Sequence, residues 1–424
     1  MKTIGKACDV TPGKTPAKVA YSSSGDVKMI KFRDVLESGT VDYSNNEEGW
    51  IDAKYVDDGD LVDLRPASIL LTNAAHSTEH IGKKVAYVEQ VPNFSRRVCF
   101  VGELTCISAK SDSGFNTKWI YYWLQTNDGK SAVARAVEGA HMVPRQFKKT
   151  ALPTCSASEQ AAHVELLELA DGTICKARDE LEAARTLKRS LEGELLSGRI
   201  DGRSRVKITT PAGEYPSGWS VAPLKSLAAI GSGVTLNQDR AAKENACRYL
   251  TVAHVQRGAI STDDARYLEL SAIERQSRLL ESGDVLVVEG HASSMEIGRA
   301  AMFEDMGEAT TFQNHLFRVR ADKTKVLPKF LLYVLNSERV QRHWNAVCNT
   351  SSGLNTINRR GLRNVLIQYP DATEQQEIID VLDTAERTVK LLTQRLRAAE
   401  EVKRSLLHSL LTSTASGPRG LTHA

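Results

Sequence analysis

The sequence predicts an α+β fold made by tandem duplication. A mixed α/β globular domain is followed by a long helix, the arrangement is then repeated, and the two long helices form an antiparallel coiled coil. Two observations carry this. Ser158-Glu159-Gln160, running through Leu187-Lys188-Arg189-Ser190-Leu191 to Leu195-Leu196, is matched 215 residues later, without a gap, by Thr373-Glu374-Gln375, Val402-Lys403-Arg404-Ser405-Leu406 and Leu410-Leu411. Both copies also keep one apolar stripe at coiled-coil period. A repeat this long exceeds the roughly 20–50 residues of a solenoid unit, so the duplicated object is a domain with its helix.

The elements follow in order. Residues 1–155 form the first globular unit. Its short apolar runs, such as Ser68-Ile69-Leu70-Leu71-Thr72 and Lys84-Val85-Ala86-Tyr87-Val88, are bounded by turn residues and read as strands. Gly13 reads as a turn leading into the first strands. A short helix starts from a Thr117 cap and carries Trp119, Tyr122 and Trp123. Residues 156–203 form the first long helix, ended by Ser197-Gly198 and Asp201-Gly202. Residues 204–370 repeat the globular unit, with Pro328 placed to begin its short helix. Residues 371–424 hold the second long helix and a disordered Ser/Gly/Pro tail.

The correspondence extends into the globular parts. Ile4, Ala7, Val10, Gly13 and Thr15 match Leu224, Leu227, Ile230, Gly233 and Thr235. Ile69-Leu70 and Ile81-Gly82-Lys83 match Val285-Leu286 and Ile297-Gly298-Arg299, and Trp119, Tyr122 and Leu124 match Phe330, Tyr333 and Leu335. The offset drifts from 220 through 216 to 211 before it locks at 215 in the helices. Loops have changed length and helices have not, as expected where loops carry variable recognition.

In the first long helix Ile174, Ala177, Leu181, Ala184, Lys188, Leu191 and Leu195 follow the alternating three- and four-residue spacing of a coiled-coil seam. Val389, Leu392, Leu396, Ala399, Lys403, Leu406 and Leu410 repeat it, lysine included. Packing of each helix on its own globular unit is the competing arrangement. A stripe of this length needs cover, however, and the chain's other stripe of equal length and period is the copy. Antiparallel pairing is expected because the second globular unit begins where the first helix ends. At about 1.5 Å per residue such a helix spans about 60 Å, which would hold the globular units at opposite ends of a rod.

Composition narrows the function classes. The 424 residues are 25% charged and 41% hydrophobic, ordinary for a globular protein of two to four domains. A net charge of +3 decides neither for nor against nucleic acid over the whole chain, so only a local basic surface could do so. Seven cysteines, odd in number and without a CxxC pair, argue against a zinc knuckle or a disulfide framework. With no apolar run near the roughly 20 residues of a membrane span and no signal-peptide segment after Met1-Lys2-Thr3-Ile4-Gly5-Lys6, a reduced, cytoplasmic protein is expected.

No catalytic constellation emerges. Pro12-Gly13-Lys14-Thr15 resembles the end of a phosphate-binding loop, but Cys8 stands where its first glycine should be, and the matching Gly231-Ser232-Gly233-Val234-Thr235 lacks the lysine. GxGxxG, HExxH and GxSxG are missing, and His76, His80 and His141 lack ligand spacing. What remains is polar and basic loop chemistry suited to DNA. In the first unit the candidates are Lys83, Lys84, Arg96, Arg97, His141, Arg145, Gln146, Lys148 and Lys149. In the second they are Arg299, Gln313, Asn314, His315, Arg318, Arg320 and the run from Ser351, Ser352 and Gly353 through Asn355, Thr356, Asn358, Arg359 and Arg360. Arg, Lys, Asn and Gln can contact base edges, while Ser, Thr and Lys serve phosphates. Taken singly, each is more readily a solvated surface charge. The Ser351–Arg360 run is more specific, because it puts short donors and two arginines just before the apolar Val365-Leu366-Ile367.

With these features together, the chain resembles the specificity subunits of type I DNA restriction–modification systems. The resemblance covers nearly the whole chain. It rests on Gly13-Lys14-Thr15-Pro16, the stretch from Ser351 to Ile367, the junction Tyr369-Pro370-Asp371-Ala372-Thr373-Glu374-Gln375, and the closing Lys403-Arg404-Ser405-Leu406-Leu407. The first copy departs twice: Cys155 stands where the second has Pro370, and Gly139-Ala140-His141-Met142 replaces the Ser-Ser-Gly loop. The resemblance implies two target-recognition domains, each reading half of a bipartite asymmetric DNA site in the major groove. It implies paired helices that act as ruler and as docking surface for two modification subunits, which carry S-adenosylmethionine and methylate adenine N6. Restriction subunits would join and cut DNA with ATP and Mg. This chain would bind no cofactor or metal and catalyse nothing itself. A coiled-coil adaptor with two protein-binding ends, and a stand-alone enzyme, are the rival readings.

Overall fold

The computed structural model describes residues 2–44, 49–55, 61–74, 81–93, 97–198, 205–206, 215–216, 218–237, 240–242, 245–261, 264–351 and 354–412. His76, His80, Arg96, Asp201, Gly202, Ser352, Gly353 and the expected tail lie outside them. The chain divides into two compact units, Met1–Asp179 with Gln394–Ala424, and Glu180–Thr393. Each contains one globular part and a portion of both long helices.

The first unit contains α1 (Ile4–Ala7), α2 (Thr117–Gln125), α3 (Asn127–Arg135), α4 (Pro144–Phe147) and the start of α5 (Ala157–Leu195). Its strands are β1 (Cys8–Pro12), β2 (Tyr21–Ser22), β3 (Val27–Ile30), β4 (Trp50–Ile51), β5 (Ser68–Thr72), β6 (Val85–Val88), β7 (Arg97–Phe100), β8 (Leu104–Ala109), β9 (Val137–Glu138) and β10 (His141–Met142). One four-stranded sheet has the order β1-β8-β5-β6 and a second the order β2-β4-β3-β7.

The second unit contains β11 (Arg205–Val206), β12 (Tyr215–Pro216), β13 (Ser220–Pro223), β14 (Ala228–Ser232), β15 (Cys247–Leu250), β16 (Tyr267–Leu268), β17 (Val285–Val288), β18 (Gly290–His291), β19 (Ala300–Met302), β20 (Thr310–Phe312), β21 (Leu316–Ala321), β22 (Asn349–Ser351), β23 (Leu354–Thr356) and β24 (Leu366–Tyr369). Its helices are α6 (Ala272–Arg278), α7 (Pro328–Asn336), α8 (Glu338–Val347), α9 (Arg359–Asn364) and the start of α10 (Ala372–Thr412). The sheet β14-β21-β17-β19 repeats β1-β8-β5-β6, with Ile230 opposite Val319 as Val10 is opposite Ile107.

The short helices are the centre of each core. Every residue from Trp119 to Leu124 in α2, and from Phe330 to Leu335 in α7, is buried. Helix α7 starts with Pro328 in its first turn, as the sequence predicts. The cap of α2 differs from expectation: Asn116, not Thr117, accepts from Lys118 N and Trp119 N. Thr117 lies inside the helix, and its hydroxyl accepts from Ala109 N.

The Glu-Gln pairs that open the long helices have a structural task. In the first unit Glu159 and Ser156 cap each other's backbone, and in the second Asp371 accepts from Glu374 N. Gln160 and Gln375 are buried latches. Gln160 accepts from Asn116 N at 2.8 Å and donates to Gly114 O at 3.0 Å and Cys155 O at 3.1 Å. Gln375 does the same with Leu327 N at 2.7 Å, Lys325 O at 3.0 Å and Pro370 O at 2.9 Å. The Cys155/Pro370 departure is therefore harmless, since only a backbone carbonyl is used.

Both units show helix pairing. In the first, Asp171 meets Lys403 at 2.6 Å and Arg178 meets Glu400 at 3.4 Å, so one helix index rises as the other falls and the pair is antiparallel. All seam residues are buried or half-buried. Ile174, Leu181 and Leu195 are buried, while Leu191, Val389, Leu392, Leu396, Leu406 and Leu410 are half-buried. The fully buried contacts near the helix ends come partly from neighbours the seam did not include. Leu407 and Leu411 join Val164 and Leu167 in the first unit's core, and Ile378, Ile379 and Leu382 join Leu195 and Leu196 in the second's. There each helix also covers a globular core, which shifts the buried face off the seam.

Candidate nucleic-acid interface

At one end of the main sheet in each unit, four segments distant in sequence are tied together by the backbone. In the second unit Val234, just past β14, bridges Gln313 and accepts from Asn314 N at 2.9 Å. Glu289 N donates to His315 O at 3.1 Å, and Glu289 O accepts from Ile357 N at 2.9 Å. Strand β18 then pairs with the β22–β23 hairpin, Gly290 opposite Thr356 and His291 opposite Asn355. The result is one continuous platform.

The first unit has matching connections, one of them through a side-chain hydroxyl. Thr15 Oγ1 accepts from Gly102 N at 2.8 Å, Asn73 N donates to Glu103 O at 2.9 Å, and Met142 N donates to Asn73 O at 2.7 Å. Ala74 bridges His141 in the β9–β10 hairpin, with Gly139 at the turn at a φ of 59°. The Gly139–Met142 departure from the Ser-Ser-Gly loop thus keeps the hairpin. Gly13 leaves β1 rather than leading into the strands. A Cβ there would lie 2.1 Å from Val101 O, and one at Gly233 would lie 2.3 Å from Phe312 O, so both positions admit only glycine. This close backbone approach, not a phosphate cradle, accounts for the repeated glycine.

The candidates divide by what they touch. Asn314, His315, Asn355 and Thr356 stand on the second platform; His315 is exposed beside Glu289 at 3.3 Å, and Asn355 Nδ2 donates to Ala292 O at 2.9 Å. Ser351 lies in the same hairpin. Asn358 caps α9 through Gly361 N, Arg359 donates to Ile230 O at 2.7 Å, and Arg360 is exposed on the same first turn. On the first unit His141 is exposed on the hairpin, with exposed Arg145 and Gln146 on α4 just after it; Gln146 donates to Glu138 at 2.7 Å. Lys148 and Lys149 are exposed, as is Lys83 at the turn before β6.

Other candidates are committed to the fold. Arg299 is buried, donates to Val255 O at 2.6 Å and Val252 O at 3.0 Å, and pairs with Glu296 at 3.0 Å. Arg318 donates to Ser277 O and Leu279 O, and Arg320 pairs with Asp284 at 2.7 Å. Arg97 pairs with Asp63 at 2.8 Å, and the Lys84 ammonium lies 4.6 Å from the Phe32 ring centre. Each guanidinium is consumed by nearby carbonyls or carboxylates, which residue type alone could not reveal. Conversely, a cleft of about 670 Å³ adjoining Thr15 is lined by Lys18, Lys31, Arg33, Tyr21 and Phe32. The interleaving of basic and aromatic residues over 14–33 was its available signal.

Burial pushes the Cys8 and Cys99 thiols up to about 12, which suppresses the thiolate. Among the described residues no group of three His, Cys, Asp or Glu side chains could hold a metal ion, and no helix is long and apolar enough to cross a membrane.

Residues 216–401 match the family model described as the type I restriction modification DNA specificity domain. Over 359 residues the chain is 21% identical to the type I restriction enzyme StySPI specificity subunit of Salmonella potsdam, covering 84% of this chain and 75% of that protein. The family-model match spans the second unit's globular part and much of its long helix, and the longer likeness reaches into the first unit as well. Two solved structures share the fold of this chain. The S subunit of M. genitalium superposes with a TM-score of 0.54 at 11% identity over 97% of this chain and 95% of that one. A chain from work on complex assembly and conformational transition of the type I system gives 0.57 at 14% identity over 98% and 97%.

Proposed function

We propose that the two platforms read the two halves of a bipartite, asymmetric DNA site, one half each. The observation that carries this is the duplicated platform itself: a matching scaffold in both units presents different side chains, His141, Arg145 and Gln146 in one and Asn314, His315, Asn355 and Arg360 in the other. Equal scaffolds with unequal side chains call for unequal half-sites. Such exposed Arg, Asn and Gln side chains suit base edges, and the neighbouring lysines suit phosphates.

Partner docking belongs to the helix pair. In the second unit Leu187 is 59% and Val381 42% exposed, and both line an apolar groove with Ala184, Leu191 and Ala385. An apolar groove of this kind on a helical pair suits the helices of modification subunits, two of them for a duplicated chain. Those subunits would supply S-adenosylmethionine for adenine methylation, and restriction subunits would supply ATP-driven cleavage. Co-expression with the cognate modification subunit, followed by sequencing of methylated adenines, tests the reading. A bipartite motif with an unread spacer and unlike halves is expected; a continuous or palindromic motif would refute it.

A further inference from the structure

In the first unit a cleft of about 970 Å³ opens between the Glu37–Gly39 loop, the Gly82–Lys83 turn, the α2–α3 junction and the last turns of α10. Its charge is lopsided. Lys83, Lys130, Arg404 and His408 line it, and among the described residues no carboxylate lies within ion-pair distance of them. Lys403, also in the wall, is held by Asp171 at 2.6 Å and Gln125 Oε1 at 3.2 Å. Glu400 pairs with Arg178 at 3.4 Å, which leaves exposed Glu37 as the opposing carboxylate.

The duplication supplies an internal comparison. In the second unit the corresponding loop also turns on a left-handed glycine, Gly258 at a φ of 84° against Gly39 at 86°. The residue before the glycine is Arg257 in one loop and Ser38 in the other. Arg257 fills its own unit's version of the space, donating to Met295 O at 2.8 Å, Gln341 Oε1 at 3.2 Å and Asn336 O at 3.4 Å. Gln341 and Asn336 correspond to Lys130 and Gln125 at the offset of 211 that relates α2 to α7. Ser38 instead turns its hydroxyl to Thr40 Oγ1 at 2.8 Å. Two replacements, serine for the plugging arginine and lysine for its glutamine acceptor, thus convert a self-filled site into an open cationic one.

We propose that this cleft receives a phosphate of the DNA backbone, a contact that only the first unit makes in this way. The inference rests on the DNA-reading function above. Position favours DNA over an acidic protein segment: Gly82 N donates to Thr72 O at 2.8 Å, beside the Asn73–Ala74 edge of the first platform. A duplex lying on that platform carries its phosphates past Lys83 and toward Lys130 and Arg404. Such a contact sets affinity and register without reading sequence.

The test transplants the second unit's plug. Ser38→Arg with Lys130→Gln closes the cleft while keeping net charge constant, and both side chains are already accommodated at the equivalent places in the second unit. The full chain, assembled with its modification subunit, is titrated with a fluorescent duplex carrying the methylated site over a salt series. The slope of log affinity against log salt should fall by about 0.9 for the lost phosphate, with a several-fold weaker affinity and unchanged base preference. Arg404→Gln, an exposed change outside the packing, should reduce the slope in the same direction if the double variant fails to fold. Unchanged slopes would overturn the inference. So would normal DNA binding with impaired assembly, which would assign the cleft to an acidic protein partner. Failure of the unaltered complex to bind duplex would instead remove the DNA-reading function itself.

Discussion

At the scale of single residues, the contacts that set the fold are repeated more faithfully than the sequence around them. Lys118 pairs with Glu168 and Lys329 with Asp383; Tyr122 donates to Asp171 at 2.9 Å and Tyr333 to Glu386 at 3.1 Å. The donors are 211 residues apart and the acceptors 215, so a four-residue change in the intervening loop has been absorbed without losing either pair. The glutamine latches are the most exacting of these contacts, because each satisfies three backbone groups from a buried position. Gln160→Leu or Gln375→Leu leaves those groups unpaired and should destabilise the affected unit by roughly 1–3 kcal/mol, read from denaturant unfolding. Gln376→Leu, a neighbour on the exposed face, serves as the control and should change stability little. The identity of these glutamines as a repeat was legible in the sequence, but their task was not. A latch is defined by carbonyls at Gly114 and Lys325 that only the fold brings near. The same limit explains Arg299, whose guanidinium looks like a DNA ligand until Val252 and Val255 are seen to claim it.

At the scale of elements, the duplication, the seam, Pro328 at the start of α7 and the strand at Ser68–Thr72 could all be read from period and punctuation. These signals are local, and local signals survive without the fold. The buried faces of the helix ends could not be read, because they depend on which globular core each end covers. One such joint has a pH signature. Trp119 Nε1 donates to His163 Nδ1 at 3.3 Å, tying α2 to α5, and burial holds the His163 pKa below its usual 6.5. The unfolded chain therefore binds this proton more readily than the folded one. The joint's contribution is fully present above about pH 6.5 and declines as pH falls through the lowered folded value. Unfolding midpoints measured at about pH 7.5 and about pH 5.5 should show a smaller loss on acidification for His163→Gln than for the native chain. An identical pH response in the two proteins would show that His163 does not titrate across folding.

At the scale of the whole molecule, the central claim is a division of labour: two scaffolds of one design, each reading its own half of the target. The likeness to the DNA specificity domain over residues 216–401 points to DNA recognition in general, and the matched platforms are what motivate the proposed division. Single-platform variants test it most directly. His141→Ala with Arg145→Ala alters only the first platform, and Asn355→Ala with Arg360→Ala only the second. Each would be co-expressed with the modification subunit, and methylated adenines would be mapped across the genome. Each pair should relax sequence preference in one half-site, a different half for each pair, at a cost of about 1–3 kcal/mol for every base edge no longer read, while the other half keeps its sequence. Relaxation of both halves by one pair, or of the same half by both, would contradict the account.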